Sequence, residues 1–263
     1  MKLKLYQIDA FAGEQFEGNP AAVCPLKEWL SDGLMQNIAM ENNLSETAFF
    51  VKAKNGFELR WFTPSTEVDL CGHATLAAAH LLYEHLNYKE PNVSFFTRSG
   101  RLTVEKDGRW YKMHLPAKAF PREAPPLDLY HALGGEIADE VYQNDDFLWV
   151  FDKEEKIRRM SPDFSTIGRI KTRGVIVTAP AEDKSVDFVS RFFAPAVGVD
   201  EDPVTGSAHA MLIPYWSQRL GKKKLVAKQI SKRGGLLKCK QLDDNEVIIS
   251  GQARTFMKGE IKL

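Results

Sequence analysis

Two blocks of apolar and polar positions follow one another along the chain in the same order. In each block a short run of aromatic and β-branched residues ends at a proline, which predicts a strand that stops there, in Leu59–Phe62 and Val189–Phe193. A glycine and a longer stretch rich in alanine and leucine then predict a helix, in His73–His85 and Ser207–Leu220. Both helices are apolar around most of their circumference, so we expect each to be enclosed by a sheet of its own.

The second helix carries signals inside it and at its end. Pro214 should kink the helix, because proline has no N–H to donate to the preceding turn. Gly221 should close it, because glycine readily adopts the left-handed conformation that ends many helices. Further strands or strand pairs are predicted in Leu3–Ala10, Thr47–Val51, Arg98–Leu115, Phe147–Phe151, Gly174–Thr178 and Arg233–Ser250.

Short segments of the first block recur in the second, in the same order and at nearly constant spacing. A repeat of this kind indicates a duplicated unit, although two copies do not make a solenoid. The matches are Phe57–Pro64 with Phe188–Pro195 at an offset of 131 residues, Cys71–Ala74 with Thr205–Ala208 at 134, and Arg98–Val104 with Arg233–Cys239 at 135.

The repeat predicts a chain built from two copies of one α/β half. Prolines are concentrated between the copies, from Pro116 to Pro126, as expected of a connection. We therefore predict a first half over residues 1–117 and a second half over residues 118–263.

The charge balance and the cysteine content narrow the range of possible functions and cellular locations. The 35 basic and 35 acidic residues balance, which argues against binding to nucleic acid or to an anionic membrane surface. The start of the chain shows no signal-peptide pattern, and no segment reaches the apolar length of a membrane span, about 18 residues. Three widely spaced cysteines, Cys24, Cys71 and Cys239, fit a reducing compartment. We expect a cytoplasmic protein.

The two glycine–helix junctions are candidate binding sites. Gly72 and Gly206 each precede a helix whose first N–H groups have no partner within the helix and whose dipole attracts an anion. Glycine also lets a ligand approach the backbone closely. Either glycine could serve only its strand-to-helix turn, but their duplication favours a ligand role. If the halves are related by a pseudo-twofold axis, both junctions would face a cleft between them.

Four polar side chains near these junctions are candidates for chemistry. Glu46 begins an apolar strand, where desolvation would suit it for acid–base work, unless it is an ordinary exposed glutamate. His73 lies in a first helical turn, whose positive end favours a neutral imidazole, or it is simply a polar helix start. Asp202 precedes a turn that exposes backbone, or it only caps that turn. Ser207 can cap the second helix, bind a carboxylate, or do both.

Other chemistries lack support in the sequence. Cys71 and His73 are potential metal ligands, but no second pair at zinc-like spacing accompanies them, so we predict no metal site. No phosphate-binding loop, dinucleotide fingerprint or nucleophile elbow is present.

Four motifs in the same chain resemble those of the phenazine-biosynthesis PhzF-like isomerases. The resemblance implies the diaminopimelate-epimerase-like fold, an α+β protein of two pseudo-symmetric halves, each a curved, mostly antiparallel sheet or barrel wrapped around a central helix. It also implies a homodimer and no cofactor. The motifs are Phe16–Val23, Ser45–Phe49, Leu70–Thr75 and Asp202–His209.

The resemblance also implies roles for individual residues. The acid–base glutamate of the family falls on Glu46, and its supporting histidine and aspartate fall on His73 and Asp202. The contacts to a substrate carboxylate fall on Gly72 and on the second junction, Gly206 and Ser207. The expected function is that of a cofactor-independent isomerase that moves a proton on a small carboxylate-bearing substrate.

Two alternatives remain open at this point. Amino-acid epimerases of the same fold use two thiols, one before each junction glycine, and these positions hold Cys71 and Thr205 here. A threonine hydroxyl has too high a pKa to replace a thiol, so a two-thiol epimerase is disfavoured, although a racemase with another second acid is not. The other alternative is a catalytically silent binding protein of this fold.

Overall fold

The computed structural model describes residues 1–263 and divides into two compact units. Unit 1 comprises Met1–Leu115 and Ile248–Leu263, and unit 2 comprises Pro116–Val247. The first break therefore lies two residues before the predicted boundary at 117. The end of the chain differs more: the prediction gave residues 248–263 to the second half, whereas they belong to unit 1 because the last strand pairs along the whole first strand.

Unit 1 contains most of the strands and two helices. The two points at which the chain passes from one unit to the other fall within strands β8 and β15. The elements are β1 Lys2–Ala10, β2 Asn19–Leu26, α1 Asp32–Asn42, β3 Glu46–Ala53, β4 Gly56–Phe62, β5 Glu67–Val68, α2 Gly72–His85, β6 Asn92–Thr97, β7 Gly100–Asp107, β8 Trp110–Pro116, β15 Glu246–Gly251 and β16 Ala253–Lys262.

Unit 2 contains the remaining strands and helices. Its elements are α3 Leu127–Ala132, β9 Glu140–Gln143, β10 Phe147–Val150, α4 Glu154–Arg158, α5 Phe164–Ile167, β11 Val175–Pro180, β12 Phe188–Phe193, a 3₁₀ turn Pro195–Val197, α6 Gly206–Leu220, β13 Lys224–Gln229 and β14 Gly235–Gln241.

The strand order of unit 2 corresponds to that of β1-β2-β3-β4-β6-β7 in unit 1. In unit 1 the order runs β16-β1-β2-β3-β4-β6-β7-β8, with β5 added to β4, and in unit 2 it runs β9-β10-β11-β12-β13-β14. Most pairs are antiparallel, and the parallel ones occur at equivalent places: β2 with β3 and β4 with β6 in unit 1, β10 with β11 and β12 with β13 in unit 2. The open, mostly antiparallel sheets and the duplication confirm the predicted fold class.

Each unit encloses one of the two predicted helices. Helix α2 is buried from Gly72 to Leu82 and packs on β1, β2 and β3. Helix α6 is buried over most of its length and packs on β13 and β14. Burial on nearly every face explains why both helices are apolar around their circumference.

Helix α6 contains Pro214 and ends at Gly221, the two residues that the sequence singled out. Because Pro214 has no N–H, the carbonyl of Ala210 has no helical donor, and it accepts the backbone N–H of Lys118 at 2.9 Å instead. Gly221 is the C-cap, with a positive φ of 64°.

A partly buried arginine–glutamate pair recurs in both units. Arg60 Nε and Nη2 donate to the two carboxylate oxygens of Glu67 at 2.7 Å each. Arg191 Nε and Nη2 donate to Glu201 at 2.7 and 2.9 Å. Arg60 and Arg191 are matched by the repeat, so the duplication extends to individual side-chain contacts.

No helix of the structure is both long and apolar enough to cross a membrane.

Candidate active site

In unit 1 the structure brings two of the predicted site residues into contact. Glu46 is the first residue of β3, and His73 is the second residue of α2. Glu46 Oε2 lies 3.1 Å from His73 Nε2, and the side chains are only 16% and 6% exposed. Glu46 is therefore not the ordinary exposed glutamate that composition alone favoured.

Two further residues contact the other nitrogen of His73. Asn19 Nδ2 lies 3.2 Å from His73 Nδ1, and Cys71 Sγ lies 3.6 Å from the same atom. Nδ1 therefore faces Asn19 and Cys71, and Nε2 is the nitrogen that faces Glu46.

Sequence reasoning assigned no chemistry to Asn19. The residue opens β2, which runs parallel to β3 with Ala21 opposite Glu46. The position of Asn19 therefore follows from strand pairing, and the only signal for it in the sequence was its place in the Phe16–Val23 motif.

The charge of His73 differs from the sequence expectation. Burial opposes the imidazolium, but the Cys71 and Glu46 side chains beside the ring outweigh it and raise the pKa of His73 well above its usual value. Burial and the charge of Glu46 raise the pKa of the Cys71 thiol, which favours its protonated form. The helix end predicted a neutral imidazole, and the contacts with Cys71 and Glu46 reverse that preference.

Both helix junctions leave their N-terminal groups without a side-chain cap. Cys71 is the N-cap of α2 and Thr205 the N-cap of α6, and neither side chain accepts a hydrogen bond from its helix. Ordinary N-cap residues satisfy one of these N–H groups. Uncapped N–H groups at both junctions are what a bound carboxylate needs.

In unit 2 the segment that contains Asp202 is held by several hydrogen bonds. The Thr205 hydroxyl donates to the Asp202 carboxylate, and the Asp202 N–H donates to the Phe192 carbonyl at 3.0 Å. The fully buried Gln229 donates Nε2 to the Asp202 carbonyl at 2.7 Å and accepts the Thr205 N–H at 2.9 Å. Gln229 was not identified from the sequence, and it fixes the approach to the second junction.

Ser207 contacts an arginine that the sequence did not single out. Arg173 Nη1 donates to Ser207 Oγ at 3.1 Å. The other edge of the guanidinium binds Asp146, through Nε at 2.8 Å and through a short contact of Nη2. The helix junction of unit 2 is therefore flanked by a fixed cation.

Metal binding and two-thiol chemistry can be judged from the same residues. One ligand atom each from Glu46, Cys71 and His73 lies within 4.8 Å of the others, close enough for a three-ligand site. A metal would need Cys71 as a thiolate, which its raised pKa opposes. In unit 2 the equivalent of Cys71 is Thr205, whose hydroxyl is engaged by Asp202.

The predicted site residues thus form separate groups within the units. Glu46, Gly72 and His73 lie together in unit 1, and Asp202, Gly206 and Ser207 lie around the start of α6 in unit 2. That both groups act on one substrate remains a prediction.

Comparison with known proteins identifies relatives along the whole chain. The model of the phenazine biosynthesis-like protein family, PhzC-PhzF, matches residues 8–259. An uncharacterized isomerase of Pseudomonas aeruginosa is 51% identical over 264 residues, covering 100% of both chains. The human phenazine biosynthesis-like domain-containing protein is 38% identical over 286 residues, covering 99% of both chains.

Solved structures give the same assignment. A PhzF-family phenazine biosynthesis protein of Enterococcus faecalis has a TM-score of 0.95 and 47% identity, covering 100% of both chains. A hydroxyproline epimerase of Agrobacterium vitis has a TM-score of 0.64 at 11% identity, covering 99% of this chain and 92% of the other, which shows a shared fold alone. The resemblance seen in the motifs is confirmed, and the chain belongs to the phenazine biosynthesis-like protein family, PhzC-PhzF.

Proposed function

We propose that the protein is a cofactor-independent isomerase in which Glu46 moves a proton on a small carboxylate-bearing substrate. The observation that carries the proposal is the contact between Glu46 and His73 at the uncapped start of α2. It places a sheltered carboxylate with a cationic partner beside N–H groups that attract an anion. Pure binding of a carboxylate would not require a second carboxylate there.

The chemistry follows from the charges of these groups. In this proposal the Glu46 carboxylate, beside the His73 ring, accepts a proton from carbon. The electrons left on the substrate spread toward its own carboxylate, where the N–H groups of a helix start stabilise the developing charge. Glu46 then returns the same proton at another carbon, which shifts a double bond and needs no second acid.

The second junction supplies further contacts in this proposal. Gly206 and Ser207 would bind the substrate carboxylate together with Gly72, and Asp202 would orient a polar group of the substrate.

The names of the relatives support an isomerase. Proteins 51% and 49% identical to the chain, both from Pseudomonas aeruginosa, are named isomerases. The hydroxyproline epimerase that shares the fold contains trans-4-hydroxy-L-proline, a small amino acid with a free carboxylate. An epimerase with two thiols is not supported, because Thr205 stands where the second thiol would be.

The test is solvent-deuterium uptake. The wild-type protein is incubated in heavy water with a panel of small carboxylates, including proline, hydroxyproline and unsaturated cyclic acids, and mass spectrometry detects incorporation. Glu46→Gln, which keeps the size but cannot take a proton, should reduce incorporation at least about a thousandfold. The matched control is Glu41→Gln, since Glu41 is exposed at the end of α1. Full uptake by Glu46→Gln would refute the role of Glu46.

A further inference from the structure

The two units hold different chemistry at matching positions. Phe62 and Phe193 are equivalent by the repeat. Thr47 pairs with Phe62 in unit 1, and Val175 pairs with Phe193 in unit 2. The residue before Thr47 is Glu46, and the residue before Val175 is Gly174, so Gly174 is the counterpart of the proposed acid–base residue.

Position 174 has no room for a side chain that bears a carboxylate. A Cβ built there would lie 2.4 Å from the ring of Phe192, which is far inside van der Waals contact. The adjacent residue, Arg173, provides the polar group instead. Its Nη1 lies 3.1 Å from Ser207 Oγ, and Ser207 is the repeat counterpart of His73. The acid–histidine contact of unit 1 is thus replaced by an arginine–serine contact in unit 2.

The position of Arg173 is set by a buried partner. Asp146 is only 3% exposed and accepts both Nε and Nη2 of the guanidinium. The guanidinium carbon also lies 5.6 Å from the centre of the Phe192 ring. Burial lowers the pKa of Arg173, but the bonds to Asp146 outweigh burial and raise it, so the side chain remains a cation.

The contact with Arg173 determines what the Ser207 hydroxyl can do. A guanidinium has no acceptor, so Ser207 Oγ must accept from Nη1. The single hydroxyl proton is then available for an acceptor elsewhere. Ser207 is half-buried in the first turn of α6, where N–H groups already favour an anion. Hydroxyl, helix and guanidinium all suit an acceptor with negative charge.

We propose that Arg173 is a positioning residue that fixes Ser207 as a hydrogen-bond donor to the substrate carboxylate. In this arrangement unit 1 transfers the proton and unit 2 anchors the anion, although both derive from one duplicated half. The identification of the ligand as a carboxylate rests on the proposed function; the arrangement of Asp146, Arg173 and Ser207 does not.

The inference can be tested by binding without turnover. The probe is benzoate, and benzamide is its neutral isostere. In the full-length ¹⁵N-labelled protein, benzoate should shift the amide resonances of Gly206 and Ser207, and benzamide should not. Arg173→Met should weaken benzoate binding about tenfold or more, as expected when a charge-assisted hydrogen bond is lost. Arg173→Lys should restore part of the affinity because it keeps the charge.

Two further variants separate positioning from folding. Arg173→Met leaves the buried Asp146 carboxylate without its partner, so the double variant Asp146→Asn/Arg173→Met removes both charges and should bind benzoate as weakly. Arg219→Met is the matched control, since Arg219 pairs with Glu140 at the other end of the same helix. This variant should bind benzoate as the wild type does.

The outcomes distinguish this inference from the proposed function. Wild-type affinity in the double variant, or benzoate shifts absent from Gly206 and Ser207, would overturn the role of Arg173. Because benzoate binding involves no proton transfer, persistent deuterium uptake by Glu46→Gln would refute the proposed reaction and leave the anchoring result intact.

Discussion

At the scale of single residues, the candidate site depends on contacts that change what a side chain does. His73 at a helix start should be neutral, yet the adjacent Cys71 and Glu46 side chains raise the pKa of the imidazole. Ser207 could be a simple cap, yet Arg173 makes it a directed donor. In both cases the neighbour decides the role, and in both cases it comes from a different part of the chain.

The Cys71 thiol should not be needed for the reaction. Its burial and its raised pKa keep it protonated, so Cys71→Ser should retain deuterium uptake within about tenfold of the wild type, a typical cost for disturbing a neighbouring hydrogen bond. Cys24→Ser is the control for placing a hydroxyl at a buried thiol position in unit 1. A loss as large as that of Glu46→Gln would instead assign Cys71 a direct part in proton transfer.

At the scale of elements, the N-terminal ends of the helices are the features most relevant to the candidate site. Helices α2 and α6 begin at junction glycines without a side-chain cap, which leaves N–H groups for a ligand. Helix α1 has no such role and is capped conventionally, with the Ser31 hydroxyl accepting the N–H of Leu34. Among the three helices of more than ten residues, the two without a side-chain cap are those that bear candidate site residues.

Glycine substitutions test how helix ends contribute to stability. Gly221→Ala should lower the free energy of unfolding by about 1 kcal/mol, because a Cβ is strained at its φ of 64° although no atom lies within 4 Å of it. Gly33→Ala, inside α1 with the same open surroundings and no positive φ, should raise the free energy of unfolding by about 0.5–1 kcal/mol. Urea denaturation measures both, and equal effects from the two variants would contradict this account.

At the scale of the whole molecule, duplication accounts for the fold and divergence accounts for the site. The strand order, the parallel pairs and the Arg60–Glu67 and Arg191–Glu201 contacts are common to both units. The junctions have diverged: Glu46 and His73 stand in one unit where Gly174 and Ser207 stand in the other. A duplicated half can keep its packing while its polar contacts change, because the packing residues and the site residues are different sets.

Each unit also carries a buried histidine that should limit stability in acid. Burial lowers the pKa of His80 in α2 and of His209 in α6 to about 4, compared with a usual value of 6.5. Between these values the unfolded chain takes up protons that the folded chain does not. The free energy of unfolding should therefore fall as the pH drops from about 6.5 to about 4, by up to about 3 kcal/mol per histidine.

Urea unfolding across this pH range measures the effect. His209→Gln should show a shallower decline than the wild type, even if it is less stable at neutral pH. His131→Gln, at an exposed position, should leave the slope unchanged. An identical slope in His209→Gln and the wild type would show that His209 does not contribute.

By itself the sequence determined the parts of this protein that depend on local pattern. Both central helices and the end of α6 at Gly221 were predicted within one or two residues, because glycine, proline and apolar periodicity act over short distances. The duplication and several strands were also predicted, but β4 begins three residues before the predicted Leu59, and β6, β9, β13 and β16 were not predicted. The motifs also directed attention to Glu46, His73, Asp202 and Ser207. The helices α1, α3, α4 and α5 were not predicted.

Tertiary structure alone decided which side chains meet. Asn19 contacts His73 across 54 residues, Arg173 contacts Ser207 across 34, and Gln229 contacts Thr205 across 24. The last strand, β16, joins unit 1 through its pairing with β1. No local signal specifies such partners, since strand pairing sets them. Glu46 could be selected from the sequence, but its shelter and its cationic partner come from the pairing of β2 with β3 and from the packing of α2 beside them.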